Sequence, residues 1–141
     1  MQSYAKASDQ YLAQRVLGAS PQQLMAILLE GGQRFLLQAA QAIGRRDIAG
    51  KAHCTNRVLA IVEELTVRLN HEDGGELVDN LVRVHDWWTR EILAASAAKD
   101  AARLERVGRQ MGEIRQAWEQ LDQKRGVSVD VSAFQVRDMV G

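Results

Sequence analysis

Apolar residues recur at steps of three and four in four successive stretches of about six turns each, in a 141-residue chain with a single proline. That pattern leaves little room for anything but helices packed side by side. The first stretch begins at "SPQQ". Ser20 can accept hydrogen bonds from the free N–H groups of a first turn, Pro21 suits the first helical position, and Gln23 can reach back to complete a capping box. On the helix that follows, Leu24, Leu28, Phe35 and Ala39 form one stripe. Met25, Leu29, Leu36, Ala40 and Ile43 form a second beside it, so this helix asks to be covered on two sides. It is expected to stop at Gly44.

The second stretch starts at Asp47 and carries Cys54, Val58, Ile61, Leu65 and Leu69. The polar, glycine-containing "NHEDGGE" (Asn70 to Glu76) breaks it. The third carries Leu77, Leu81, Val84, Trp88, Ile92 and Ala95. Asp100 reads as the N-cap of the fourth, which carries Leu104, Val107, Met111, Ile114, Trp118 and Leu121. Helices of this length span about 30–35 Å at 1.5 Å per residue. Short connections between equal helices make antiparallel neighbours, so the expected fold is all-α: an up-down four-helix bundle. The expected single domain is residues 1–126, with residues 1–19 as a short N-terminal helical cap. That cap would start at Ser8 or Asp9, with Tyr4, Tyr11, Leu12, Val16 and Leu17 as anchors. After Gly126, "VSVDVSAF" alternates with period two. Residues 127–141 are expected to be a tail, mobile or laid on the surface.

Composition narrows the function classes. Eighteen Lys and Arg balance eighteen Asp and Glu, so no basic footprint points to nucleic acid. No apolar run approaches the roughly 18 residues of a membrane span, and no signal peptide opens the chain. Cys54 is the sole cysteine, which excludes a disulfide framework and fits a reducing cytoplasm. Catalytic and metal residues are not expected, nor a cofactor: there is no phosphate loop, no nucleophile elbow and no Glu-x-x-His pair. His53 and Cys54 are adjacent on one helix and point about 100° apart, a poor arrangement for sharing a metal. His53 is the one candidate for a histidine phosphotransfer bundle, but Asn56 and Arg57 stand where such domains place lysine and glycine.

Other features point to binding. In "HDWW", Trp88 belongs to the core stripe of the third helix. Trp87 falls among Glu76, Asn80, Arg83 and Glu91, where it is either shielded by the N-terminal segment or presented to a partner. Val78, Val82 and Leu93 widen the opposite flank. Gly31, Gly32, Gly108 and Gly112 each cost a helix roughly 0.5–1 kcal/mol against alanine. They suit either close packing inside the bundle or a groove for another backbone. Together these residues suggest apolar grooves that receive a helical or extended partner. A homo-oligomeric scaffold or adaptor, down to a simple homodimer, is the alternative use of such wide faces.

In order and spacing, residues 11 to 121 resemble the flagellar secretion chaperone FliS family. The resemblance rests on Tyr11 ten residues before Pro21, "ASPQQLMAILLEGG" (Ala19 to Gly32), "GRRDIAGK" at the first turn-around and "RVLAIVEEL" (Arg57 to Leu65). It continues through "GGEL" (Gly74 to Leu77), Asn80, Leu81, Asp86, Arg90, Ala95, Lys99 with Asp100, and "IRQAW" (Ile114 to Trp118). Val84-His85-Asp86-Trp87 departs from the family's usual leucine-tyrosine-aspartate-tyrosine. Glu91 follows Arg90 where a second basic residue is common, and Ser96 replaces a usual asparagine. The resemblance implies a cytoplasmic bundle without enzymatic activity that binds the disordered C-terminal segment of flagellin. It would prevent premature polymerisation and present its cargo to the flagellar type III export gate. It also implies that the segment near Tyr11 covers part of the groove when cargo is absent. Combined with the helical wheels, it nominates Tyr11, Leu12, Leu24, Leu28, Val78, Val82 and Trp87 as flagellin-binding residues, with no membrane insertion.

Overall fold

A computed structural model describes residues 2–72 and 74–123; the strand-like stretch and the tail expected after Gly126 lie outside the described residues. Five helices follow in order: α1 (Gln2–Leu17), α2 (Pro21–Gly44), α3 (Ile48–Val67), α4 (Gly75–Ala97) and α5 (Ala101–Gln123). The start signal of α2 forms as expected. Ser20 Oγ accepts from Gln23 N–H at 3.0 Å, Gln23 Oε1 accepts from Ser20 N–H at 2.9 Å, and Pro21 is the first helical residue.

The α2–α3 and α4–α5 turns share one geometry. Asp47 N–H donates to Ala42 C=O at 2.8 Å and Arg46 N–H to Ile43 C=O at 3.1 Å. In the other turn Asp100 N–H donates to Ala95 C=O at 2.9 Å and Lys99 N–H to Ser96 C=O at 3.1 Å. These are helix-terminating pairs of the Schellman type. Each aspartate then caps the next helix: Asp47 Oδ1 accepts from Gly50 N–H at 2.9 Å, and Asp100 Oδ1 from Arg103 N–H at 3.2 Å.

α2 packs on α3 and α5, and α4 packs on the same two, so the four long helices close an antiparallel up-down bundle with α2 and α4 on one diagonal. Both stripes of α2 are used. Met25, Leu29, Leu36 and Ala40 are buried, Leu28 and Phe35 are half-buried against the core, and Leu24 is half-buried. Leu65, Leu81, Trp88, Ile92, Leu104, Met111 and Ile114 complete the core. The buried Trp88 ring keeps its one donor satisfied, donating from Nε1 to Gln110 Oε1 at 3.0 Å.

The α2–α5 approach explains two of the glycines. A Cβ on Gly32 would stand 2.8 Å from Met111 Sδ, and one on Gly112 would stand 2.6 Å from Gln33 Nε2. The room they leave is thus taken by the bundle itself. A Cβ on Gly108 would reach only ordinary contact with Leu36, at 3.9 Å.

α1 differs from the short cap expected from Ser8 or Asp9. It begins at Gln2, and it packs on none of the four long helices as they pack on one another. Leu17 is 87% exposed and Tyr11 65%. An ion pair, Arg15 to Glu30 of α2 at 3.0 Å, ties its last turn to the bundle. Both partners are partly solvated, so the tie is worth under about 1 kcal/mol. With its apolar residues largely outside the core, α1 has little burial to hold it down.

Candidate functional site

The expected cargo residues fall on three surfaces. Leu24 and Leu28 lie half-buried on the flank of α2 that faces α3. Phe35, on the same stripe, carries the Arg57 guanidinium of α3 over its ring at 5.5 Å, and a Cβ on Gly31 would meet Ile61 Cδ1 of α3 at 3.5 Å. Val78 and Val82, also half-buried, lie on the flank of α4 that faces α3. His85 is within about 60° of both on that helix, and its Nδ1 is 2.9 Å from Thr66 Oγ1 of α3. Parallel α2 and α4 therefore place these four side chains at one end of the bundle, on the two sides of α3.

Trp87 is elsewhere. At 100° per residue it stands about 140° from Val82 and about 180° from Val78. Its near neighbour on the helix surface, Glu91, is paired with Arg103 of α5, so Trp87 lies on the α5 side. The ring is half-buried and packs against the core. Tyr11 and Leu12 are on α1, where the Arg15 guanidinium sits 5.9 Å from the Tyr11 ring centroid.

Leu93, 51% exposed, continues the line of Val78 and Val82 along α4. Val78 and Val82 thus form an apolar edge on the first turns of the α3–α4 seam, and Leu93 lies about three turns further on, beyond Asp86 and Thr89. Other exposed apolar side chains are Val67 and Ile48 on α3, Leu37 on α2 and Leu77 at the start of α4. Wheel reasoning passed over Val67, Ile48 and Leu37, which lie off the core stripes. Noting every large apolar residue outside a stripe would have found them.

The titratable groups of the long helices offer little chemistry. His85 is buried, stacked on Trp88 with ring centroids 5.6 Å apart, and burial lowers its pKa to about 4. It is held neutral as a core residue. Burial pushes the Cys54 thiol up, away from the thiolate that nucleophilic or metal chemistry needs, and Sγ lies 3.8 Å from Gln38 Oε1. His53 is exposed on α3. No group of three or more His, Cys, Asp or Glu side chains converges among the described residues. No described helix is long and apolar enough to cross a membrane.

Comparison with known proteins gives the family. Residues 4–125 match the family described as "Flagellar protein FliS". The flagellar secretion chaperone FliS of Salmonella typhimurium is 30% identical over 125 residues, covering 88% of this chain and 90% of that protein. That of Escherichia coli is also 30% identical, over 123 residues, covering 83% of this chain and 90% of that protein. The Bacillus subtilis protein of the same name is 29% identical over 110 residues, covering 78% and 81%. The chain belongs to the FliS family, a family of flagellar secretion chaperones rather than of enzymes.

Proposed function

We propose that this protein works in the cytoplasm as an export chaperone, binding the disordered C-terminal segment of flagellin. It holds that segment's apolar surface until the complex is presented to the flagellar export apparatus. The observation that carries the reading is the set of incompletely buried apolar side chains that flank α3, Val78, Val82 and Leu93 on α4 and Leu24 and Leu28 on α2. A disordered segment that folds on binding must offset an ordering cost of several kcal/mol. Apolar flanks at the edge of a rigid bundle supply the burial needed without any charge match. Tyr11 and Leu12, on a helix with little hold on the bundle, would cover or join this surface according to whether cargo is present. No catalytic step is part of the reading, and its binding residues all lie outside the fully buried core.

The test is Leu93→Asp, because Leu93 contributes little to the core. Anisotropy of a labelled flagellin C-terminal segment should show at least tenfold weaker binding, with the thermal melt of the bundle shifted by no more than a few degrees. Unchanged affinity in a folded variant would remove the α3–α4 seam from the binding surface.

A further inference from the structure

Among the described residues, two that are not glycine adopt the left-handed backbone conformation: Arg46, at φ 59°, and Lys99, at φ 55°. Both occupy the residue that terminates a helix, in the α2–α3 and α4–α5 turns respectively. Glycine is the usual and strain-free occupant of that position. A cation near a helix C-terminus is favourable, but it could be carried by the last helical turn with no backbone strain. Strain repeated at equivalent places asks for a reason in what the side chains do.

Both side chains line one cavity. It measures about 390 Å³, lies between the two turns, and is lined by Ala42, Ile43, Ile48, Arg46, Lys51 and Lys99 together with Asp47. The wall is apolar and the polar members are mostly cationic. Asp47, the one carboxylate, already accepts from Gly50 N–H. Lys51 Nζ donates to Ser96 C=O at 2.9 Å, which fixes its ammonium and leaves it further N–H donors. Arg46 and Lys99 have no ion-pair partner among the described residues. The chemistry complementary to this lining is an apolar side chain joined to a carboxylate, held by charge-assisted hydrogen bonds.

We propose that this cavity captures the free C-terminal carboxylate of a polypeptide that ends in apolar residues, and so fixes the register of a bound chain at its last residue. The assignment of that polypeptide to flagellin rests on the chaperone reading above, in which the cargo is a C-terminal segment and brings one such group. Capture of a terminal carboxylate is a general recognition mode that needs little more than converging donors and a place for the last side chain.

The experiment compares the flagellin C-terminal segment as free acid and as C-terminal amide, titrated into the wild-type protein and into a variant carrying Arg46→Gly and Lys99→Gly. Glycine relieves the backbone at both positions, so this variant is expected to melt at a higher temperature and cannot lose binding by unfolding. The free acid should bind wild type at least tenfold more tightly than the amide, and the variant should bind the two alike. Equal binding of acid and amide to wild type overturns the inference while leaving the chaperone reading intact. If neither form binds, the chaperone reading fails. The cavity is then judged by amide NMR shifts on addition of N-acetyl-leucine, N-acetyl-leucinamide and acetate. Saturable shifts at Ile43, Ile48 and Lys99 with N-acetyl-leucine alone support it; none, or the same with acetate or with the amide, overturns it.

Discussion

His85 has the most definite physical consequence of any single residue. The sequence marks Val84 and Trp88 as core, and a wheel gives the direction of His85 but not the depth of the neighbour it meets. In the fold it lies between Thr66 and Trp88, and its pKa falls from the ordinary 6.5 to about 4 because burial opposes the charge. Folded and unfolded chains both carry it neutral above pH 6.5. Below that the unfolded chain takes up the proton first, so stability is lost as pH falls from 6.5 and levels off below about 4. The full loss is roughly 3 kcal/mol at 1.36 kcal/mol per pH unit. Denaturant unfolding between pH 7.5 and 4 should show that extra slope in wild type and lose it in His85→Gln; equal slopes would mean His85 is solvated. Trp87 and Trp88 make a second contrast. Trp88→Ala should cost about 3–5 kcal/mol, as for any large aromatic removed from a core. Trp87→Ala should leave the bundle folded, and the melting temperatures of the two variants measure the difference.

Among elements, the boundaries of α2, α3 and α5 were legible because chemistry marks them: the Ser20 capping box, the caps at Asp47 and Asp100, the stop at Gly44. What each flank faces was not. A wheel fixes angles about one axis and is silent on which helix stands beside it, so it put Trp87 and the pair Val78 and Val82 on opposite flanks of α4 without telling that the first lies toward α5 and the second toward α3. Glycines have the same ambiguity. Gly32→Ala presses a methyl onto the buried Met111 and should destabilise by about 1–3 kcal/mol, overcoming the helix-propensity gain. Gly108→Ala meets only ordinary contact with Leu36 and should stabilise by about 0.5–1 kcal/mol. Thermal melts of the two variants should move in opposite directions. For α1, a helical segment before α2 was legible but its start was not, since no capping signal marks Gln2. Its exposed Tyr11 and Leu17 and its thin attachment predict that α1 amides exchange with solvent at least about 100-fold faster than those of α2, as measured by hydrogen exchange.

On the scale of the whole molecule, four equal amphipathic helices and short turns leave an up-down bundle as the economical arrangement, and the contacts of α2 and α4 with both α3 and α5 are that arrangement. The bundle buries its own core fully at Leu29, Leu65, Trp88 and Ile114, yet keeps half-buried flanks at Leu24, Leu28, Val78 and Val82. In the chaperone reading proposed above, the rigid core holds the fold and these flanks are the edges that cargo completes. The most direct test is a calorimetric titration of this protein with the isolated C-terminal segment of flagellin from the same organism, with circular dichroism followed in parallel. One-to-one binding at micromolar affinity or better, with a gain in helix and a negative heat-capacity change, is the predicted result. No heat and no gain in helix, with both samples soluble, would contradict it.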